Sequence, residues 1–177
     1  MKKYFLFILI SAACLAGCGK PEAVTFKDRS TIGAADRTAW TITASTQETT
    51  CEPGGAALVL DNNINTFWHS AYCDVTSSYP HWLSIDMQTP IKMVSVDITA
   101  RQNNANGMTR FRLEGSVDGT AWTMLRDSVA FVGATKTPQS FAVSSATAYR
   151  YLKMTALTGP TANTFLAEIN VFTAKEK

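Results

Sequence analysis

An oxygen-rich stretch between residues 61 and 69 holds the side chains with the most evident chemistry. It reads Asp-Asn-Asn-Ile-Asn-Thr and ends in Phe67, Trp68 and His69. Asn and Asp tolerate left-handed backbone conformations and bond to their own backbone, so the run predicts a tight loop. Its oxygens are also the ligands that a hard cation such as calcium prefers. At this point an ordinary Asx-rich surface turn and a metal site are both open.

The acidic residues do not form a catalytic pattern. No motif places two carboxylates in one cleft, as a glycosidase requires. The sequence also has no Ser-centred elbow, phosphate-binding loop or HExxH helix. We therefore expect a non-catalytic protein.

The amino terminus resembles an export signal. Lys2 and Lys3 precede an apolar run, Tyr4–Ala16, that is shorter than the roughly 20 residues needed to span a bilayer. The run closes with Leu-Ala-Gly-Cys18, which resembles the lipobox of bacterial lipoproteins; an ordinary cleavable signal is the alternative. The resemblance implies a signal peptide at 1–17, lipidation of Cys18, and a bacterial outer membrane or cell-surface location with the lipid as the only membrane contact.

Charge argues against a nucleic-acid partner. The chain has 16 basic and 14 acidic residues, and loss of residues 1–17 removes Lys2 and Lys3, which leaves 14 of each. A neutral chain lacks the basic face that nucleic acids and anionic membranes require. Residues 18–37 show no sustained periodicity, so we interpret them as a tether.

The remaining chain has the pattern of strands. Met93–Ala100 alternates, with Val94, Val96, Ile98 and Ala100 on one face. Similar runs occur at Trp40–Ala44, Trp82–Met87, Arg110–Val117, Trp122–Leu125, Gln139–Val143, Arg150–Thr155 and Glu168–Thr173. Eight short strands predict an all-β antiparallel sandwich or barrel. The one helical candidate is a turn or two at Ala56–Leu60, and the Asp118-Gly119 pair predicts a hairpin.

Several conspicuous side chains are expected to be structural. The tryptophans should mostly fill the core or pack on the sheets, and His81, Asp86 and Asp118 should support loops and strand ends; the tryptophans concerned are Trp68, Trp82 and Trp122. Cys51 and Cys73 most simply form a disulfide in an oxidising compartment, because no second Cys or His cluster has zinc spacing. Closing this loop is worth about 3 kcal/mol in unfolded-state entropy.

The motifs together resemble the discoidin, or coagulation factor 5/8 type C, domain, and especially carbohydrate-binding module family 32. They are Thr43-Ala44-Ser45, Gly54-Gly55-Ala56-Ala57, Leu60-Asp61-Asn62, Asn65-Thr66, Trp68-His69-Ser70, Pro80-His81-Trp82-Leu83, Ile85-Asp86-Met87, Arg101-Gln102, Ser116-Val117-Asp118-Gly119 with Trp122, Tyr149-Arg150-Tyr151-Leu152 and Ala167-Glu168-Ile169. The resemblance covers Thr38 to Thr173. It implies an eight-stranded antiparallel β-sandwich of jelly-roll, galactose-binding-domain type over residues 38–174.

The resemblance also implies a structural calcium site. Its ligands would be the positions that match the family pattern: Leu58, Asp61, Asn63, Thr66, Ala167 and Glu168. Asn62 replaces the usual glycine, and we expect the turn to survive because Asn accepts a positive φ.

A sugar site in loops at one end is the further implication. His69 and Arg101 match the family positions, with Glu52 as the acid and Glu48 as its competitor; the aromatic and amide candidates are Tyr72, Phe165, Asn103, Asn104 and Asn106. The alternatives are a histidine that caps its loop and an arginine in a strand-end salt bridge. We expect a non-catalytic, calcium-stabilised module that binds galactose- or N-acetylgalactosamine-type glycans. A protein-binding or adhesion module, and a structural subunit of a surface complex, are the alternative functions.

Overall fold

The computed structural model describes residues 30–75, 77–143 and 145–176. The predicted signal at 1–17, the lipid-bearing Cys18 and the tether as far as residue 29 lie outside the described residues. The described part is all-β apart from a short 3-10 helix, Ala56–Leu60, where the helical turn was predicted. In chain order the strands are β1 (Ser30–Ala34), β2 (Thr41–Ala44), β3 (Trp68–His69), β4 (His81–Ile91), β5 (Met93–Thr99), β6 (Arg110–Ser116), β7 (Trp122–Ala130), β8 (Gln139–Ala142), β9 (Tyr149–Thr158), β10 (Phe165–Leu166) and β11 (Glu168–Glu176).

Two antiparallel sheets form the layers of a sandwich. One has the strand order β1-β11-β5-β8 and the other the order β2-β4-β9-β6-β7, while β3 pairs with β10 at one end. Neighbours that are distant in sequence show that the chain crosses repeatedly between the sheets, as in a jelly roll. The predicted fold class is confirmed.

Alternating burial explains why these segments become strands. In β4, Leu83, Ile85 and Met87 are buried and the side chains between them are partly exposed. On the facing sheet, Val96 and Ile98 of β5 are also buried and belong to the same core cluster. Each such side chain contributes roughly 1.5–3 kcal/mol when it is fully buried, so the two inner faces hold the layers together.

All eight predicted strands are present, and three further strands accompany them. β3 and β10 have two residues each, which is too short to produce a readable period. The predicted inward face is right for Val96 and Ile98 of β5 and for Ala100 just after it. Val94 is only half-buried, and Met93 is buried in its place. The register with β11 shifts at this end of the strand, between Phe172 and Thr173.

The predicted tether at 18–37 is wrong at its carboxyl end. Ser30–Ala34 forms β1 and pairs with Phe172–Glu176 of β11, and Arg37 is buried. Ile32, the large apolar residue of β1, is 65% exposed. β1 is an edge strand whose main contribution is backbone pairing, so its sequence lacks the inward apolar alternation that identifies buried strands.

Trp68, Trp82 and Trp122 lie in the core or pack on a sheet, as predicted, and one of them fills the core. Trp68 is fully buried, and its Nε1 donates to Thr46 O at 2.9 Å. Trp82 and Trp122 are half-buried on the outer face of the five-stranded sheet, where Lys153 Nζ lies 3.9 Å from the Trp122 ring centroid. These two rings cover the sheet and do not fill the core.

The predicted hairpin at Asp118-Gly119 joins β6 to β7. Gly119 has φ +80°, and Asp118 Oδ1 accepts from the backbone N–H of Thr120 and Ala121 at 2.8 and 2.9 Å. These bonds hold the pKa of Asp118 well below its usual range. Among the described residues no helix is long and apolar enough to cross a membrane.

Candidate functional site

Four segments meet at the end of the sandwich where β11 begins. His69 in β3 pairs with Phe165 in β10, and Arg101 is the second residue after β5. The turn that carries Glu52 is brought against β3 at Gly54, whose N–H donates to Glu48 O and whose carbonyl accepts from His69 N. A Cβ on Gly54 would lie 3.0 Å from His69 Cβ, so a glycine is needed for this close approach.

The end-loop groove between these segments has a volume of about 330 Å³. It is lined by Glu52, His69, Tyr72, Arg101, Asn104, Asn106, Thr161, Asn163 and Phe165. The structure thus brings together most of the predicted ligand-binding residues. Thr161 and Asn163 were not predicted, because they come from the loop between β9 and β10 and carry no local motif.

Arg101 is held on several sides. Its Nη2 lies 3.3 Å from Glu52 Oε2, and its Nε donates to Asn103 Oδ1 at 2.9 Å. The guanidinium carbon lies 3.5 Å from the Phe67 ring centroid, a cation–π contact that the sequence did not suggest. Asn103 therefore orients Arg101 and lies outside the lining of the groove, unlike its predicted role as a ligand contact.

His69 directs its Nε2 towards Glu52 in the groove. Its Nδ1 is 2.6 Å from Ser70 O, and because a carbonyl can only accept, Nδ1 carries the hydrogen. In the neutral ring Nε2 is then the acceptor, and it lies 3.8 Å from Glu52 Oε1. Tyr72 and Phe165 flank the imidazole with ring centroids at 4.7 and 5.2 Å.

The two aromatic candidates differ in exposure. Tyr72 is 40% exposed and Phe165 is 6% exposed, so Tyr72 offers the larger accessible ring. Desolvation and the nearby Glu52 and Glu48 carboxylates raise the pKa of the Tyr72 hydroxyl, which therefore stays a neutral phenol. A neutral aromatic face beside polar groups is suited to the C–H surface of a sugar ring.

Glu48, the competing acid, is a structural residue. It is buried; Oε1 accepts from the N–H of Thr50 and Cys51 at 2.9 Å each, and Oε2 from Tyr72 and Cys73 at 3.0 Å each. These bonds lower the pKa of Glu48 from 4.5 to about 2. The predicted disulfide joins Cys51 to Cys73, so the carboxylate and the covalent bond connect the same two segments.

Lys136 holds the loop that carries Arg101 and the groove asparagines. Its Nζ donates to the carbonyl oxygens of Arg101, Asn104 and Gly133 at 2.7, 3.1 and 2.8 Å. An ammonium group has three hydrogens, and here each has a carbonyl partner.

The β9–β10 loop is fixed from below. His81, which was predicted to be structural, is buried, and its Nε2 donates to Ala162 O at 2.7 Å, since that carbonyl can only accept. Tyr79 OH donates to Asn163 O at 3.2 Å. Burial lowers the pKa of His81, so a neutral imidazole supports this wall of the groove.

The predicted calcium loop lies beside the groove. Asn62 has φ +63°, as predicted for the position where the family usually has glycine. Thr66 Oγ1 donates to Asp61 Oδ2 or Asn63 O, both at 2.7 Å, and Glu168 Oε1 accepts from Asn63 N at 2.9 Å. Asx-type bonds such as Asn63 N to Asp61 Oδ1 also shape the loop, as the simple-turn interpretation predicted.

The donor set of this loop fits a hard cation. Burial and the adjacent Asp61 carboxylate raise the pKa of Glu168, and Arg37 acts in the opposite direction. Glu168 Oε2 is buried and 2.7 Å from Arg37 Nη2, but no described donor directs a hydrogen at it. The described residues hold no group of three or more His, Cys, Asp and Glu side chains at metal-binding distances. A cation here would depend on two carboxylates supplemented by carbonyl and hydroxyl oxygens.

Arg37 was missed by the sequence interpretation. Besides Glu168 it contacts Asn62 Oδ1, and its Nη1 donates to Ile169 O at 2.5 Å and to Val59 O at 3.3 Å. A larger cavity, about 620 Å³, lies beside Arg37 between β1, β2 and the 3-10 helix. It contains none of the predicted sugar contacts, so the end-loop groove is the better candidate site.

Comparison with known proteins identifies relatives of this domain within larger proteins. A sialidase of Micromonospora viridifaciens is 31% identical over 140 residues, 77% of this chain and 21% of the sialidase. A galactose oxidase of Gibberella zeae is 31% identical over 169 residues, 89% of this chain and 24% of the oxidase. The chain thus spans less than a quarter of the length of either relative.

Solved structures share the fold. The family 32 carbohydrate-binding module of Clostridium perfringens NanJ, in complex with galactose, has a TM-score of 0.70 at 23% identity over 80% of this chain and 99% of that module. CpGH89CBM32-5 of the same organism, in complex with GalNAc-β-1,3-galactose, has a TM-score of 0.70 at 20% identity over 78% and 99% of the two chains. The family 32 module of AlyQ, in complex with 4,5-unsaturated mannuronic acid, has a TM-score of 0.63 at 18% identity over 79% and 98%. At these identities the likeness establishes the fold alone.

The family assignment rests on the sequence itself. The profile of the F5/8 type C domain matches residues 41–169, from the start of β2 into β11. The chain therefore belongs to the F5/8 type C domain family.

Proposed function

We propose that the chain is a non-catalytic glycan-binding module that holds galactose-type sugars in the end-loop groove. The observation that carries the proposal is the combination, in one groove, of an exposed tyrosine ring with hydrogen-bonding groups of both kinds. Arg101 supplies donors, whereas Glu52 and His69 Nε2 supply acceptors. A sugar hydroxyl both donates and accepts, so it can satisfy both kinds of group.

The structural neighbours support a glycan as the ligand class. Modules on the same fold hold galactose and GalNAc-β-1,3-galactose. The curated relatives carry this domain beside the rest of a sialidase or a galactose oxidase, both of which are named for sugars. Galactose and N-acetylgalactosamine are therefore the first ligands to test.

The composition of the groove supports a binding role in place of catalysis. Of the described residues that line it, Glu52 is the one carboxylate. Hydrolysis of a glycosidic bond ordinarily needs two carboxyl groups, one on each side of the bond. Glu52 is paired with Arg101, which Asn103 in turn orients, and such a fixed pair is suited to hydrogen-bonding the hydroxyls of a sugar.

The proposal includes a structural calcium. It would be held by Asp61, Thr66 and Glu168 with the carbonyl oxygens of Leu58, Asn63 and Ala167. Bound there, the ion would neutralise the facing carboxylates and link the loop before β3 to the start of β11. The position of His69 would then depend on the ion, because β3 follows this loop directly.

The proposal also places the module on a bacterial surface. The signal-like residues 1–17 and the lipobox-like sequence before Cys18 support a lipid anchor. Metabolic labelling with a clickable fatty acid tests this part, since Cys18→Ser should abolish the label. Label that persists in the variant would contradict the anchor.

A glycan array tests the function directly. The purified protein, in calcium, is compared with a His69→Ala/Arg101→Ala variant of matched thermal stability. Binding to galactose- or N-acetylgalactosamine-terminated glycans should be lost in the double variant. An Arg126→Ala variant is the control, because Arg126 is exposed on β7, away from the groove.

The array also has an outcome that contradicts the proposal. If the folded, calcium-treated protein binds no glycan, the sugar-binding function is wrong and a protein partner takes its place. Competition by a free sugar separates the two functions where the binding partner is a glycoprotein.

A further inference from the structure

We propose that the end-loop groove selects uncharged sugars and discriminates against sugars that carry a carboxylate, with Glu52 as the residue that determines this specificity. The inference rests on the proposed glycan-binding function and adds which glycans the groove accepts. It is carried by the contacts that Arg101 already makes within the protein.

Contacts within the protein already occupy one edge of the Arg101 guanidinium, the edge formed by Nε and Nη2. Strong recognition of a carboxylate by arginine uses two parallel N–H donors on one edge of the guanidinium. Here Nη2 faces Glu52 Oε2 at 3.3 Å and Nε donates to Asn103 Oδ1 at 2.9 Å. One face of the guanidinium also lies against Phe67. The donors that remain are the two hydrogens of Nη1 and the second hydrogen of Nη2. Because Nη2 lies beside Glu52 Oε2, a ligand carboxylate bound at this remaining edge would lie close to the Glu52 carboxylate, whereas a hydroxyl would not be repelled.

The charges of the groove cancel before a ligand arrives. Arg101 is the one lysine or arginine among the described lining residues, and Glu52 is the one carboxylate. Because these two side chains form an ion pair, an acidic sugar gains no net Coulomb attraction. Its own carboxylate would instead lie near that of Glu52, and like charges repel.

The remaining polar groups also need a hydrogen from the ligand. Glu52 Oε1 is an acceptor, and in the neutral imidazole so is His69 Nε2, 3.8 Å away. A hydroxyl can donate to either of them, whereas a carboxylate has no hydrogen to give. Leaving such partly buried acceptors unpaired weakens binding by about tenfold or more.

The fold by itself does not impose this choice. The AlyQ module shares the architecture and holds a mannuronic acid derivative. Selectivity in the present chain therefore has to come from its own side chains. The Glu52–Arg101 pair is the feature that would disfavour a negatively charged ligand.

Calorimetry with methyl β-galactoside and methyl β-galacturonoside, which differ only at C6, tests the inference. The native protein should bind the galactoside at least about tenfold more tightly. Glu52→Gln removes the opposing charge and introduces an N–H donor. The ratio of the two dissociation constants should therefore fall by about tenfold or invert. Glu114→Gln on β6, outside the groove, should leave the ratio unchanged.

The outcomes separate the inference from the function on which it rests. Equal or tighter binding of the galacturonoside by the native protein would overturn the selectivity while sugar binding stands. If neither glycoside binds, the glycan-binding function fails and the inference fails with it. If Glu52→Gln leaves the ratio of the two affinities unchanged, Glu52 does not determine the selectivity. If that variant does not fold, Asn103→Ala frees Nε of Arg101 and should lower the same ratio.

Discussion

Lys136 Nζ lies 2.7 Å from the carbonyl oxygen of Arg101, so a side chain that does not line the groove fixes the backbone of one that does. The same ammonium group also binds Asn104 O and Gly133 O. The loop after β5 is therefore stabilised from the neighbouring loop between β7 and β8. The wall of the groove depends on a contact outside it.

Replacing Lys136 by methionine should weaken sugar binding without removing any ligand contact. Three carbonyl oxygens lose a charged donor, and we expect a loss of roughly 1–3 kcal/mol in stability and a several-fold loss in affinity. Calorimetry and urea denaturation measure the two effects. Lys92→Met is the matched control, because Lys92 is exposed between β4 and β5. Unchanged affinity in a destabilised Lys136→Met protein would show that the loop is not positioned by this contact.

Glu48 should make the protein acid-sensitive over a defined range. Its pKa is lowered to about 2 in the folded state, so between its ordinary value of 4.5 and about 2 the unfolded chain binds the proton more tightly. The stabilisation from Glu48 is therefore complete above about pH 4.5 and is lost as the pH falls through the folded-state pKa. Urea midpoints measured from pH 6 to pH 2 should decline over this range.

Glu48→Gln identifies the source of that decline. The amide places an N–H group among four backbone donors, so the variant should be less stable at neutral pH and should lose part of the acid dependence. Glu114→Gln is the comparison, since no described backbone N–H donates to its side chain. If the two variants show the same acid dependence, the assignment to Glu48 is wrong.

Calcium should raise the melting temperature through the loop before β3. A ligand at a hundredfold excess over its Kd stabilises by about 2.7 kcal/mol, which for a domain of this size is a rise of roughly 5–10 °C. Asp61→Ala should abolish the increment, whereas Asp127→Ala, at an exposed position of β7, should retain it. Differential scanning calorimetry with calcium and with chelator decides the matter. A native protein that is indifferent to calcium would refute the site.

The amino-terminal limit of the domain can be tested by truncation. A chain that begins at residue 36 lacks β1 and leaves the edge of β11 unpaired. At about 0.5–1.5 kcal/mol for each ladder hydrogen bond, it should lose roughly 2–4 kcal/mol relative to a chain that begins at residue 30. Urea denaturation compares the two chains. Equal stabilities would mean that residues 30–35 act only as a tether.

Features with a local signature could be predicted from the sequence. Alternating residues in β4 and β5 predicted buried strands, and the Asp118-Gly119 pair predicted a hairpin. The Asx-rich loop was located for the same reason, since Asn and Asp determine their own backbone geometry. Each of these depends on interactions within a few residues of the chain.

Features that join distant segments were missed or assigned differently. Arg37, Phe67 and Asn163 acquire their roles from partners that only the fold brings near, such as Glu168, which is far away in sequence. Glu48 and Glu52 looked alike in the sequence. Burial among four backbone N–H groups makes one structural, and partial exposure beside Arg101 makes the other part of the groove.

The pairing of β1 with β11 determines how the module faces its surroundings. Ser30 lies opposite Glu176, whereas Glu168 begins the same strand beside Thr99, close to Arg101. The nine residues of this extended strand separate its ends by about 26 Å. Both ends of the described polypeptide, Ser30 and Glu176, therefore lie at the pole of the sandwich opposite the groove. A ligand therefore reaches the groove from the side of the domain that is opposite Ser30 and Glu176.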